Sequence, residues 1–360
     1  MRSFGIYCKL YGQKSINAKI HVNLLKIKNE KTSCFLDFGL LFPIDIKELR
    51  FYFPFYIEIK DVEDLGSLLA KNNDVLDLIF HTDMSTSSFG QNCYTYVQSS
   101  NKEDSSFALY QLGENNLNIK HTNTSFSQQM QGTILNVQLK GEGEYSFLPA
   151  CQDCEKKDKS KPEDCYIRFR IPVSNRNMDF FRHSANISDD LFQSAFSKID
   201  MIDFRINDRR EIDKKVLETL EDGSYKAFQF EEAHFFYVAD SKENIRNGSV
   251  IHKDCRIMER ERWNDYLPAT ENVNYLAYHW EKSNLKGESL SEFCIFFNTI
   301  YPERNWLRIL SYSFVVILLG FLGSMLSFDI NNECEIVVKS LIVFIMFCFI
   351  LWQFRNNKNY

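Results

Sequence analysis

Three groups of residues in this 360-residue chain have types and spacings that could do chemistry. Cys151 and Cys154 are separated by two residues, Cys165 follows, and His252 with Cys255 repeats the same spacing. Two thiolates so placed can chelate one tetrahedral zinc ion, and a Cys₃His shell would pin a lysine-rich loop to a second sheet. Ordinary unligated thiols are the competing reading, because the second pair is far away in sequence and falls in an expected strand. A redox pair would need a thioredoxin-like βαβ pattern around it, which is not there.

The second group is Arg168, Arg170, Arg176, Arg182 and His183, interleaved with Tyr166, Phe169, Phe180 and Phe181. Guanidinium groups grip phosphate bidentately and aromatic faces stack bases, so this stretch is a candidate pocket for a nucleotide or oligonucleotide. On a strand, Tyr166, Arg168 and Arg170 project to one face. The alternative is the solvated side of a half-buried strand, its charge diluted by Asp179, Asp189 and Asp190.

The third group is near the carboxyl terminus. Ser313, Gly320, Ser324 and Ser327 recur along one face of an apolar run, followed by Asp329, Glu333 and Glu335. Small residues let helices approach closely or line a narrow pore, and acids contributed by several copies would form a ring that favours cations.

Searches for a phosphate-cradling Gly-x-x-x-x-Gly-Lys loop, a Gly-x-Gly-x-x-Gly turn, a Gly-x-Ser-x-Gly elbow and His-Glu-x-x-His all come back empty. His81, His234 and His279 lie in apolar or aromatic runs and are read as satisfied core imidazoles. The chain is therefore expected not to be an enzyme, and to carry no cofactor apart from the zinc alternative.

The elements that position these groups are mostly strands. The first half alternates like sheet at Phe4 to Leu10, Ala18 to Lys28, Ser33 to Leu41, Arg50 to Lys60, Cys93 to Gln98, Ser106 to Leu112, Thr133 to Leu139 and Tyr145 to Leu148. That spacing predicts a sandwich or open barrel over 1–150, with one short helix near Asp64 to Ala70. Pro54 places its strand at an edge or bulge. A polar segment, 151–164, reads as a loop or linker. Over 165–303 the pattern is mixed α+β, with helices at Asp189 to Lys198 and Arg209 to Leu220, the latter ending before Gly223.

Residues 304–360 predict a transmembrane hairpin and short tail. Ile309 to Phe328 and Ile336 to Phe354 are long apolar runs, and ~20 apolar residues of helix cross a bilayer core. Lys339 lies near the end of the second run, where its stem can snorkel outward. Arg304, Arg308, Arg355 and Lys358 flank the runs, so the large domain and the tail are expected on the cytoplasmic side of an inner or plasma membrane. The net charge of −6 gives no global attraction to nucleic acid or anionic lipid. Ten irregularly spaced cysteines, eight of them in the expected cytoplasmic domain, do not suggest a disulfide framework.

A large polar region followed by a minimal hairpin resembles, in the order of its parts, the nucleotide-controlled two-span membrane effectors of bacterial anti-phage systems of CBASS or Hailong type. The resemblance implies a cytosolic sensor of a nucleotide messenger and an ion-conducting pore of assembled spans, used in antiviral defence. Two spans cannot enclose a channel alone, so self-association follows as an expectation, with lipid bilayer and nucleotide as the other partners. The alternative is a membrane-anchored protein-interaction scaffold without pore activity.

Overall fold

The computed structural model describes residues 2–9, 16–27, 34–46, 48–80, 82–88, 94–99, 106–112, 117–123, 131–139, 162–185, 196–248, 251–267, 274–283, 290–302 and 306–326. The strands run β1 Gly5–Lys9, β2 Asn17–Leu25, β3 Cys34–Pro43, β4 Glu48–Phe53, β5 Glu63–Asp64, β6 Met84–Ser88, β7 Tyr94–Ser99, β8 Ser106–Tyr110, β9 Leu117–Asn123 and β10 Gln131–Gln138. They continue with β11 Asp164–Val173, β12 Arg182–Ala185, β13 Ser197–Ile206, β14 Lys226–Ala227, β15 Gln229–Asp240, β16 Asn244–Gly248, β17 Asp254–Met258, β18 Tyr275–Ser283 and β19 Phe293–Pro302. The helices are α1 Gly66–Leu69, α2 Asn73–Phe80, α3 Asn175–Met178, α4 Lys214–Glu221, α5 Arg260–Trp263 and α6 Trp306–Leu326.

Ten strands form the main sheet, in the order β17-β18-β15-β2-β3-β11-β8-β7-β6, with β5 paired to β11. Both halves of the chain contribute to it. A second sheet has the order β14-β1-β4-β10-β9, and a third β12-β13-β19-β16. The chain divides into two compact units, Met1–His183 with Met201–Asn298, and Ser184–Asp200 with Thr299–Tyr360.

Inside the first unit the main and second sheets face each other across a phenylalanine core, which accounts for the high Phe content. Phe38 and Phe169 of the main sheet meet Phe51 and Phe53 of the second, with Phe51 edge-on to Phe169 at 4.9 Å. Phe4 stacks on Phe204 at 4.7 Å. Each such ring, once buried, contributes ~1.5–3 kcal/mol against leaving it in water. On the far side of the second sheet, α4 covers Tyr7 and Tyr52 with Val216. The Asp213 carboxylate accepts from Lys215 N to cap α4, and Gly223 follows its end with φ 76°.

The expected β-rich sandwich is thus found, with these differences. The strand bearing Pro54 stops at Phe53 and runs centrally between β1 and β10. Proline costs it no ladder bond because it lies just beyond the strand. Helix α2 was not expected, although Asn72 caps it by accepting from Val75 N at 3.3 Å. Lys198 stands in β13, and most of the helix expected at 189–198 falls outside the described residues.

The transmembrane hairpin is not supported. The first apolar run does lie in one helix, α6, of 21 residues. Among the described residues, however, no helix is long and apolar enough to cross a membrane. The second run, Lys339, and Ser327, Asp329, Glu333 and Glu335 lie outside the described residues. Ser313 Oγ donates to the Ile309 carbonyl of its own helix at 2.9 Å, so its polarity is spent locally. Gly320 has open space beside it, and Ser324 stands in the same helix.

With the hairpin go the readings that rested on it. These are the resemblance to two-span effectors, the nucleotide-gated pore, the lipid partner, the membrane-anchored scaffold and the integral membrane location.

Candidate metal-binding cleft

Strand alternation sorts the main sheet into two unlike faces. Ile20, Val22, Leu36, Phe38, Leu40, Ile167, Phe169 and Phe235 point into the phenylalanine core. The residues between them point the other way, and pairing aligns them across strands. Lys19, His21 and Asn23 of β2 stand beside Glu232, His234 and Phe236 of β15, which are parallel to them. On the next strand Glu281 lies opposite His234, and His279 lies opposite Phe236. Asp254 of β17 is then opposite His279. In the other direction Gly39 and Asp37 of β3 meet Arg168 and Arg170 of β11.

This polar face has an open end. A cleft of about 660 Å³ is lined there by Lys19, His21, Asp164, Glu232, His234, Lys253, Asp254, His279 and Glu281 with apolar walls from Ile79, Phe80 and Phe107. That volume is in the range of small-molecule sites. At its centre His234 Nδ1 faces His279 Nε2 at 3.1 Å. One ligand atom each from His234, His279 and Glu281 lies within 4.8 Å of the others, so this trio could chelate a metal ion.

The outer nitrogens of the two rings face carboxylates. Glu232 Oε2 is 3.6 Å from His234 Nε2, and Asp254 Oδ2 is 4.0 Å from His279 Nδ1. Phe236 stacks flat on His279 at 4.3 Å between centroids and fixes that ring's plane. His21 lies against His234 with centroids 5.0 Å apart.

Protonation favours ligation. Burial holds the His234 imidazole below its ordinary pKa, although Glu281 and Glu232 pull the other way, so its lone pair is available at neutral pH. The hydrogen bond from Lys253 Nζ, 2.6 Å from Glu281 Oε2, keeps the Glu281 carboxyl below its usual range. Burial opposes ionisation of Glu232, but Lys19, bonded at 2.9 Å, outweighs it and that carboxyl also lies low.

The other end of the face is closed. Arg170 makes a two-pronged pair with Asp37, Nε to Oδ1 at 2.7 Å and Nη2 to Oδ2 at 3.0 Å. The Tyr266 hydroxyl donates to Asp37 Oδ2 and accepts from Arg168 Nε at 2.9 Å and Nη2 at 2.7 Å. Arg168 Nη1 donates to the Tyr166 hydroxyl at 2.9 Å. Arg168 is fully buried, and an ion in such a place costs several kcal/mol unless it is compensated. Gly39 makes the network fit, because a Cβ there would strike the Tyr166 hydroxyl and the Arg168 guanidinium.

The sequence-derived candidates are distributed as follows. Tyr166, Arg168 and Arg170 do share one face, but their polar contacts are internal. Phe169 and Phe181 point into the core instead of offering a stacking surface, which removes the basis for a nucleotide pocket. Arg176 is exposed on α3, Arg182 pairs with Asp179 at 3.2 Å on its way into β12, and His183 is exposed. None of these three is a hydrogen-bond partner of the Arg168 network.

Cys165 is buried in β11, where burial drives its thiol far above the usual range. Cys151 and Cys154 lie outside the described residues. Cys255 is exposed on β17, and His252 packs edge-on against Tyr278.

The trio escaped notice because His234 is 45 and 47 residues from His279 and Glu281 in sequence and both histidines look like core positions in aromatic strands. A usable signal did exist: Glu232-Ala-His234 and His279-Trp-Glu281 each alternate a ligand type with an apolar residue, so the ligands share a face. No protein-family model matches the chain, and no curated protein matches it.

Proposed function

We propose that this is a metal-binding protein whose cleft holds one zinc-class divalent ion at His234, His279 and Glu281. The observation that carries the reading is the facing pair of ring nitrogens at 3.1 Å. Two nitrogen ligands at ~2.0–2.1 Å from a tetrahedral ion lie about 3.3 Å apart, so the rings stand close to the required spacing.

In the metal-free protein one ring donates its N–H to the lone pair of the other. An ion there would be held by the lone pairs of both rings, with the outer N–H groups left to donate toward Glu232 and Asp254. Such outer carboxylates fix the tautomer and raise ligand basicity. Glu281 would supply an oxygen, at the cost of weakening its pair with Lys253. Two imidazoles with one carboxylate suit zinc, whereas calcium and magnesium favour oxygen ligands throughout.

Calorimetric titration of the full chain with zinc sulfate tests this. Binding of one equivalent is expected, and it should vanish in the His234→Ala, His279→Ala double variant while circular dichroism stays unchanged. Absence of stoichiometric binding, or equal affinity in the folded double variant, overturns the reading.

A further inference from the structure

The histidine trio belongs to the cleft's lining on β15 and β18, and toward β8 and β11 that lining is aromatic. Phe80 and Phe107 meet with ring centroids 4.8 Å apart, and both rest against Tyr166, at 5.0 and 5.7 Å. Asp164 of β11 stands beside them. It is paired in register with Phe107 of the parallel strand β8, and both residues line the cleft.

The Asp164 carboxylate is half-buried, and among the described residues no side chain is hydrogen-bonded or ion-paired to it. Lys19 acts on it through space, but that ammonium is already bonded to Glu232 at 2.9 Å. Burial, with Glu163 and Glu231 adding to it, raises the pKa of Asp164 in spite of Lys19. Lys253 is taken in the same way by Glu281, at 2.6 Å. Among the described residues the lining sets the carboxylates of Asp164, Glu232, Asp254 and Glu281 against only the ammonium groups of Lys19 and Lys253.

Most classes of ligand fail at this end of the cleft. An anion would meet the excess of carboxylates. A bare metal ion needs converging ligands, and among the described residues Asp164 belongs to no group of three ligand atoms close enough to share one ion. A neutral apolar molecule would cover the rings but strip water from Asp164 without replacing it, which is unfavourable for a carboxylate. An organic cation with a flat apolar body meets both demands. Its ammonium group donates to the carboxylate, and its ring lies on the aromatic wall.

We infer that the cleft binds a small aryl-alkyl ammonium compound, with its cation at Asp164 and its ring on Phe80 and Phe107. The volume of about 660 Å³ accommodates a molecule of this kind. The inference rests on the cleft being a binding site, and it shares none of the ligands of the proposed zinc ion. Its test is therefore run in EDTA, and its failure leaves the zinc titration untouched.

Calorimetric titration of the full chain with phenethylamine hydrochloride at neutral pH should show saturable binding. The neutral isostere phenethyl alcohol and the anion phenylpropionate should bind about tenfold more weakly or worse, since each lacks the charge-assisted bond to the carboxylate. Asp164→Asn keeps the shape of the side chain and removes its charge. It should weaken the amine about tenfold and leave the alcohol unchanged, with circular dichroism as the check on folding. Nuclear Overhauser contacts between the probe's ring protons and those of Phe80 and Phe107 in the unaltered protein decide the matter if the variant does not fold. Absence of saturable binding, equal affinity for amine and alcohol, unchanged amine affinity in the folded variant, or probe contacts only elsewhere would each overturn the inference.

Discussion

The closed end of the polar face, around Arg168 and Asp37, and its open end, around His234 and His279, are built from the same strand alternation and differ in what satisfies their polar atoms. At the closed end α5 and the turn reaching Tyr266 lay a lid of protein over the charges, and the chain itself supplies almost every hydrogen bond. At the open end the rings and carboxylates line a cleft, and their strongest mutual contact is between two nitrogens that can trade one shared proton for an ion. The contrast teaches that a cluster of charged strand residues is not by itself a binding site. Burial under a lid turns it into scaffold, and access turns it into a candidate for chemistry.

Removing the central acid should have the largest effect. Asp37→Ala leaves Arg170 buried without its carboxylate and removes the acceptor of Tyr266, so chemical denaturation should register a loss of about 3–5 kcal/mol. A loss below about 1 kcal/mol would mean that the closed end is wetter than described, and the contrast would break. Gly39→Ala forces a methyl group into the same network and should cost about 1–3 kcal/mol in the same assay.

At the open end the effect should appear in ligand affinity instead of stability. Glu232→Gln removes a carboxylate behind His234 and should weaken zinc about 10- to 100-fold by calorimetry. Unchanged affinity would show that Glu232 does not support the ring.

A pH titration sharpens the comparison from the side of β5, which pairs with β11 beside Arg170. Burial pushes the Asp64 carboxyl from 3.8 up to about 6, partly offset by backbone N–H groups of Gly66, Leu112 and Ser67. The folded state then binds this proton more tightly than the unfolded chain, so ionised Asp64 weakens the fold above about pH 6. Stability should rise as pH falls through about 6 toward about 4, by about 1–2 kcal/mol relative to Asp64→Asn after allowing for partial exposure. The smallest effect is expected for His234→Ala without metal, where the change in stability should stay within about 1 kcal/mol because the ring borders open space.

Much of the fold was legible. Alternation placed β1, β2, β3, β8 and β10 within a few residues, because the apolar member of each alternating pair has to face a core. The shared face of Tyr166, Arg168 and Arg170 was equally readable, since it follows from the period of a strand. The fate of that face was not. Whether Arg168 would meet a ligand or a tyrosine hydroxyl 98 residues away depends on which segment covers the sheet, and nothing local to β11 encodes that.

The amino-acid sequence by itself determined a β-rich chain with a phenylalanine core and strands of two unlike faces, because side-chain period and hydrophobicity act over a few residues. Only the tertiary structure decided that β2, β15 and β18 lie side by side. That adjacency brings His21, His234 and Glu281 into one row with His279 in the next, and loop closure over tens of residues, not local preference, selects it. It likewise decided that the arginines noticed first are held from within while histidines assigned to the core border the cleft. Burial is a property of the assembled sheet and its lid, and no single strand carries it.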